Sequence, residues 1–98
     1  MSFALTIRPE AETDLAEACR WYEERRHDLG SESPISVEAT LESIQRHPQS
    51  FPVVHSQIRR ALLRRFPYGV FYVVEEHAVA VLAVFHASRD PNRWQNRA

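Results

Sequence analysis

Seven consecutive apolar residues, Val79-Ala80-Val81-Leu82-Ala83-Val84-Phe85, constrain this chain more than any other feature. A strand with one wet face alternates apolar and polar side chains, and this run does not alternate. It predicts a central strand covered on both faces, and so a sheet with material on either side. Ahead of it Glu75-Glu76-His77 makes a polar turn, and Tyr68–Val74 is aromatic and β-branched, the composition of a hairpin partner. Residues 58–66 form another β-like run, with arginines on either side of Ala61-Leu62-Leu63 and Pro67 as its interruption. After His86 the apolar character stops, and Asp90-Pro91-Asn92-Arg93-Trp94 suggests one tight turn.

The amino-terminal half carries helix signals instead. Phe3, Leu5 and Ile7 alternate with Ala4, Thr6 and Arg8, which predicts a short half-buried strand. Pro9 suits the first position of a helix, where a missing N–H costs little. Glu10, Glu12 and Asp14 crowd the turn that follows, where the helix dipole favours acids. Ala11, Leu15, Ala18, Cys19 and Tyr22 keep the 3.6-residue period to about Arg26, with Gly30 as the stop. Ser33 and Pro34 read as the N-cap and first residue of a second helix, striped by Val37, Leu41 and Ile44 and closed by His47-Pro48. Residues 50–57 read as a connecting loop with room for a short extended piece. The predicted order is β-α-α-β-β-β. It describes an α+β sandwich, a helix hairpin on one face of a mainly antiparallel sheet.

At 98 residues and 44% hydrophobic content the chain supports one core, so residues 1–98 are expected to form a single domain. No stretch approaches the roughly 18 to 20 apolar residues that span a bilayer. The start, Met1-Ser2-Phe3-Ala4-Leu5, lacks the basic and apolar segments of a secretory signal, so a cytoplasmic location is expected. Cys19 stands alone and closes no internal disulfide. His27, His47, His55 and His77 have no metal-ligand spacing, and two glycines build no phosphate loop. No metal or cofactor is expected.

The net charge of −1 hides an asymmetry. Residues 1–49 carry five arginines and ten acids, a net −5, whereas residues 50–98 carry seven arginines and three acids, a net +4. Such polarity marks an acidic helical face beside a basic working face.

Several blocks now stand in order. They are Pro9-Glu10-Ala11-Glu12-x-Asp14-Leu15-x-Glu17-Ala18-x-x-Trp21-Tyr22, then Val37-Glu38-Ala39-x-Leu41-Glu42-x-Ile44-x-x-His47-Pro48, then Phe51-Pro52. Arg59-Arg60-Ala61-Leu62-Leu63-Arg64-Arg65-Phe66-Pro67-Tyr68 follows, and His86-x-x-Arg89-Asp90-Pro91-x-x-Trp94 closes the set. Taken together they resemble the RelE/ParE toxin superfamily, in particular its ParE-like, plasmid-stabilisation branch. The resemblance covers nearly the whole chain and departs from the family pattern at residues 30–36. It implies a small βααβββ toxin of a bacterial type II toxin–antitoxin system, bound and neutralised by a cognate antitoxin, with growth inhibition as the outcome. RelE-like members cut mRNA on the ribosome, whereas ParE-like members inhibit DNA gyrase.

The residues weigh the two activities. RNA cleavage needs a base for the ribose 2′-OH, an acid for the leaving oxygen and cations for the phosphate. His86 ends the last strand, Arg89 lies just beyond it, and Arg64 or Arg65 reaches from the neighbouring strand; Trp94 or Tyr72 is placed to stack on a base. The catalytic set of an RNase would be His86, Arg65 and Arg89. Against it, His86 has no second acid–base partner, and a net charge of −1 suits nucleic acid poorly. On a strand, Arg60 and Arg64 share one side with Leu62, and Arg59 and Arg65 the other with Ala61 and Leu63. Target or antitoxin binding is assigned to Arg59, Arg60, Arg64, Arg65, Arg89, Arg93 and Trp94. The leading expectation is a noncatalytic gyrase inhibitor; the alternatives are a ribosome-dependent mRNA endonuclease and a non-toxic binding module on the same fold. Partners expected are the antitoxin and gyrase (the ribosome and mRNA under the alternative), with self-association open and no membrane.

Overall fold

The computed structural model describes residues 3–25, 29–63, 68–86, 95 and 97. Strand β1 (Ala4–Ile7) leads into helices α1 (Pro9–Arg25) and α2 (Leu29–Arg46). Four strands follow: β2 (Val53–His55), β3 (Ile58–Leu62), β4 (Tyr68–Val74) and β5 (Ala78–His86). They form one sheet in the order β1-β5-β4-β3-β2, antiparallel throughout except where β1 runs parallel to β5. The expected α+β class and mainly antiparallel sheet are therefore present, with one strand more than the order β-α-α-β-β-β. That strand, β2, is the short extended piece for which residues 50–57 left room. It turns back through Ser56, whose φ of 51° places a non-glycine residue in the left-handed region.

The uninterrupted apolar run is indeed buried on both faces. Val79, Val81 and Val84 point to the helices, where they join Ala11, Ala18, Val37, Ile44, Val70 and Tyr72. Leu82, Ala83 and Phe85 point to the opposite face with Ile58 and Phe71. Strict alternation would place Val84 opposite Val81. A bulge resolves this: Phe71 pairs with Ala83 but Tyr72 pairs with Val81, leaving Leu82 as the extra residue. Both helices contribute only to the first cluster, so among the described residues they cover a single face.

The second helix corrects two readings. Gly30 is not a stop, and Ser33-Pro34 is not a start, because α2 already begins at Leu29. Proline forfeits one N–H bond, the one that would return to Gly30, and α2 runs through it. Of the β-like run 58–66, β3 takes Ile58–Leu62 and the Leu63 N–H donates to the Tyr68 carbonyl at 2.9 Å; residues 64–66 lie outside the described residues. No helix among the described residues is long and apolar enough to cross a membrane.

Candidate functional site

Unequal strand lengths create the first region of interest. β1 has four residues and β5 nine, and the last bond on that side runs from the Arg8 N–H to the Val81 carbonyl at 3.0 Å. Beyond it Pro9 starts a helix, so the outer edge of β5 loses its partner strand. Asp14, the one buried charged residue of the described core, fills the gap. Its Oδ2 accepts the Val84 N–H at 3.1 Å and the Arg97 Nη1 at 2.6 Å. Arg97 in turn donates to the Leu82 carbonyl at 3.1 Å and lies 4.8 Å from the centre of the Phe85 ring. A carboxylate and a guanidinium thus supply the acceptor and donor that a neighbouring strand would have supplied. Asp14 therefore caps a sheet edge, beyond the acids Glu10 and Glu12 of the first turn. No local signal exposes Arg97, which is 83 residues away from Asp14 in sequence.

A groove of about 420 Å³ runs beside this latch, lined by Glu10, Thr13, Asp14, Glu17, Phe85 and Arg97. A smaller one of about 180 Å³ continues it past Tyr68 and His86. There His86 meets the Tyr68 ring edge-on, with centroids 5.6 Å apart at 72°. This is an edge-to-face packing of the two rings.

Arg59 and Arg60 of β3 divide as strand alternation predicts. Arg59 turns to the helix side, where its Nη1 donates to the Phe51 carbonyl at 2.6 Å and the Gln49 carbonyl at 3.1 Å. It pins the turn after α2. Tyr72 belongs to the same construction: its hydroxyl donates to the Pro48 carbonyl at 2.6 Å, and Phe51 sits edge-on 6.4 Å away. Burial pushes the Tyr72 phenol up from 10.0 to about 12, while the Arg59 guanidinium pulls the other way. A fully buried tyrosine stacks on no nucleobase, so that expectation for Tyr72 is corrected.

Arg60 goes to the helix-free face, directly across from Phe71. Its stem lies over Gly69, and its Nε is buried with no partner among the described residues. Leu62, two residues on, is 54% exposed. Arg64, Arg65, Arg89, Arg93 and Trp94 lie outside the described residues. Of the proposed RNase set only His86 is described, and of the binding set only Arg59 and Arg60. Among the described residues no three His, Cys, Asp or Glu side chains converge as metal ligands.

Comparison with known proteins gives a consistent result. Residues 5–91 match the model of the ParE toxin of the type II toxin–antitoxin system parDE. Two curated relatives, both named Toxin ParE2, come from two strains of Mycobacterium tuberculosis. Each is 30% identical over 93 residues, covering 94% of this chain and 89% of the relative. Among solved structures, the chromosomal ParDE system from P. aeruginosa superposes with a TM-score of 0.65 at 16% identity, over 87% of this chain and 96% of that one. The RelBE2 toxin–antitoxin complex from Mycobacterium tuberculosis gives 0.61 at 18% identity, over 88% and 99%. These two likenesses establish the fold.

Proposed function

This chain belongs to the ParE toxin family of type II toxin–antitoxin systems, and on that premise we propose that it acts by binding a protein target, DNA gyrase, in the cytoplasm and is neutralised by a cognate antitoxin. The observation that carries a binding rather than a cleaving role is the commitment of Arg59 and Tyr72. Both are polar groups suited to phosphate or base contacts, and both are spent on the carbonyls of residues 48–51. His86 is likewise packed on Tyr68. What remains on the helix-free side among the described residues is Leu62, exposed beside Arg60, an apolar and a cationic group of the kinds that protein contacts use.

The test is a supercoiling assay with purified gyrase. Added protein is expected to abolish supercoiling, and unchanged supercoiling at saturating protein overturns the reading. A translating extract run alongside is expected to leave mRNA intact; cleavage at the ribosomal A site that His86→Ala abolishes would install the endonuclease reading instead. Co-expression with the product of the adjoining reading frame is expected to restore growth.

A further inference from the structure

The latch at the end of β5 leaves two acids over. Glu10, Asp14 and Glu17 are spaced four and three residues apart on α1, which puts them on one face of the helix, and all three line the groove of about 420 Å³. Among the described residues these carboxylates share one ion pair, Asp14 with Arg97 at 2.6 Å. Asp14 is buried, whereas Glu10, Thr13 and Glu17 are exposed, so the helix side of the groove lies open to solvent. Three carboxylates against one guanidinium leave it two negative charges in excess. Arg8 does not offset them, because it donates to the Arg97 carbonyl at 3.3 Å and lines neither groove.

Acids along a helix do not by themselves make a site. This groove, however, already holds one basic side chain, brought from the far end of the chain. The Arg97 guanidinium rests on the Asp14 carboxylate and the Leu82 carbonyl and lies 4.8 Å from the centre of the Phe85 ring. The same kinds of group continue past it, with Glu17 on the helix and Phe85 and Tyr68 on the strands lining the extension of about 180 Å³. We propose that this groove binds an extended, arginine-bearing segment of a partner protein, one guanidinium pairing with Glu10 and another with Glu17 while Arg97 keeps its seat on Asp14. Seven residues of helix separate the two glutamates by about 10 Å. Side chains two apart on an extended peptide project the same way about 7 Å apart, and arginine stems spread over the remainder. Each pair is partly wet and weak alone, but two on one segment reinforce each other. A polyamine carries charges at a similar spacing but lacks the planar fork that matches a carboxylate.

The experiment titrates the ¹⁵N-labelled full chain at low salt with a capped Arg-Ala-Arg peptide, its twin with neutral citrulline in place of arginine, and spermidine. The arginine peptide is expected to move the Thr13, Glu17 and Val84 amides saturably, and the citrulline twin to bind about tenfold more weakly or not at all. Glu17→Gln should weaken the arginine peptide about threefold, and Glu10→Gln with Glu17→Gln about tenfold. Glu12→Gln, an exposed acid that does not line the groove, should leave binding unchanged. No shift with the arginine peptide, equal binding of its citrulline twin, or undiminished binding by the double variant overturns the proposal. Equal weakening by Glu12→Gln overturns it in favour of diffuse attraction to an acidic surface. Spermidine binding as tightly as the peptide overturns it in favour of a small polyamine. Gyrase and the antitoxin take no part in these titrations, so the supercoiling and co-expression assays succeed or fail independently.

Discussion

Asp14 and Arg60 are both charged residues set into the sheet, and they are treated in opposite ways. At the β5 edge the carboxylate accepts one backbone N–H and one guanidinium N–H, and that guanidinium goes on to a carbonyl and an aromatic ring. On β3 the Arg60 Nε has no partner among the described residues, although its stem lies against Gly69. The first arrangement closes within the chain and reads as structure. The second leaves one buried donor unsatisfied. Burial of a charge alone does not distinguish scaffold from site; whether the polar atoms are satisfied does.

The largest effect should therefore come from Asp14. Asp14→Ala removes the acceptor of the Val84 N–H and strands Arg97, which remains 23% exposed and so keeps some water. Loss of one partner of such a pair is expected to cost about 3 kcal/mol, or on the order of 15 °C in Tm for a domain of this size. Urea and thermal unfolding check it, and a change within error would place the two charges in the same class. Asp14→Asn, which keeps a carbonyl acceptor, should cost less.

Tyr72 sharpens the same contrast through pH. Its phenol is held at about 12 against an ordinary 10.0, chiefly because burial disfavours the phenolate. Between those values the unfolded chain has lost the proton that the folded chain keeps, so stability falls as pH rises. The contribution is intact below pH 10 and disappears by pH 12, a loss of roughly 2 kcal/mol. Tyr72→Phe should flatten that part of the pH–stability curve. A mutant curve with the same slope would mean the hydroxyl is wetter than its bond to the Pro48 carbonyl implies.

Much of this was legible because apolar patterning survives folding. The double burial of β5, the stripe of α1 and the split of Arg59 from Arg60 all follow from the periods of strand and helix. What escaped had no local mark. The pairing of β2 with β3 turns on Ser56, a residue that advertises no positive φ, where glycine or asparagine would have signalled a hairpin. Ser33-Pro34 imitates a helix start strongly enough to hide the true one at Leu29. The bulge at Leu82 depends on pairing with β4, and Asp14 acquired its role only because β1 ends early. Nothing local to Gly69 marks that Arg60 lies over it.

A double-mutant cycle isolates the closed arrangement. Arg97→Ala alone should cost about 1–2 kcal/mol, since the Leu82 carbonyl and the Phe85 ring lose their cation but Asp14 keeps the Val84 N–H. With Asp14→Ala it should be clearly non-additive, by about 1 kcal/mol or more. Additive costs would show that the 2.6 Å contact contributes little.

The smallest change in stability is expected at Arg60, and its sign is what matters. Arg60→Met keeps the unbranched stem over Gly69 and Phe71 while deleting the unpaired donor. Removing a buried group that has no partner recovers its desolvation cost, so stability should stay level or rise by about 0.5–1 kcal/mol. A structural arginine would lose stability on the same substitution, as Arg97 should. If Arg60→Met instead unfolds more readily by 1 kcal/mol or more, the guanidinium is paired within the chain and the distinction between the two charges disappears.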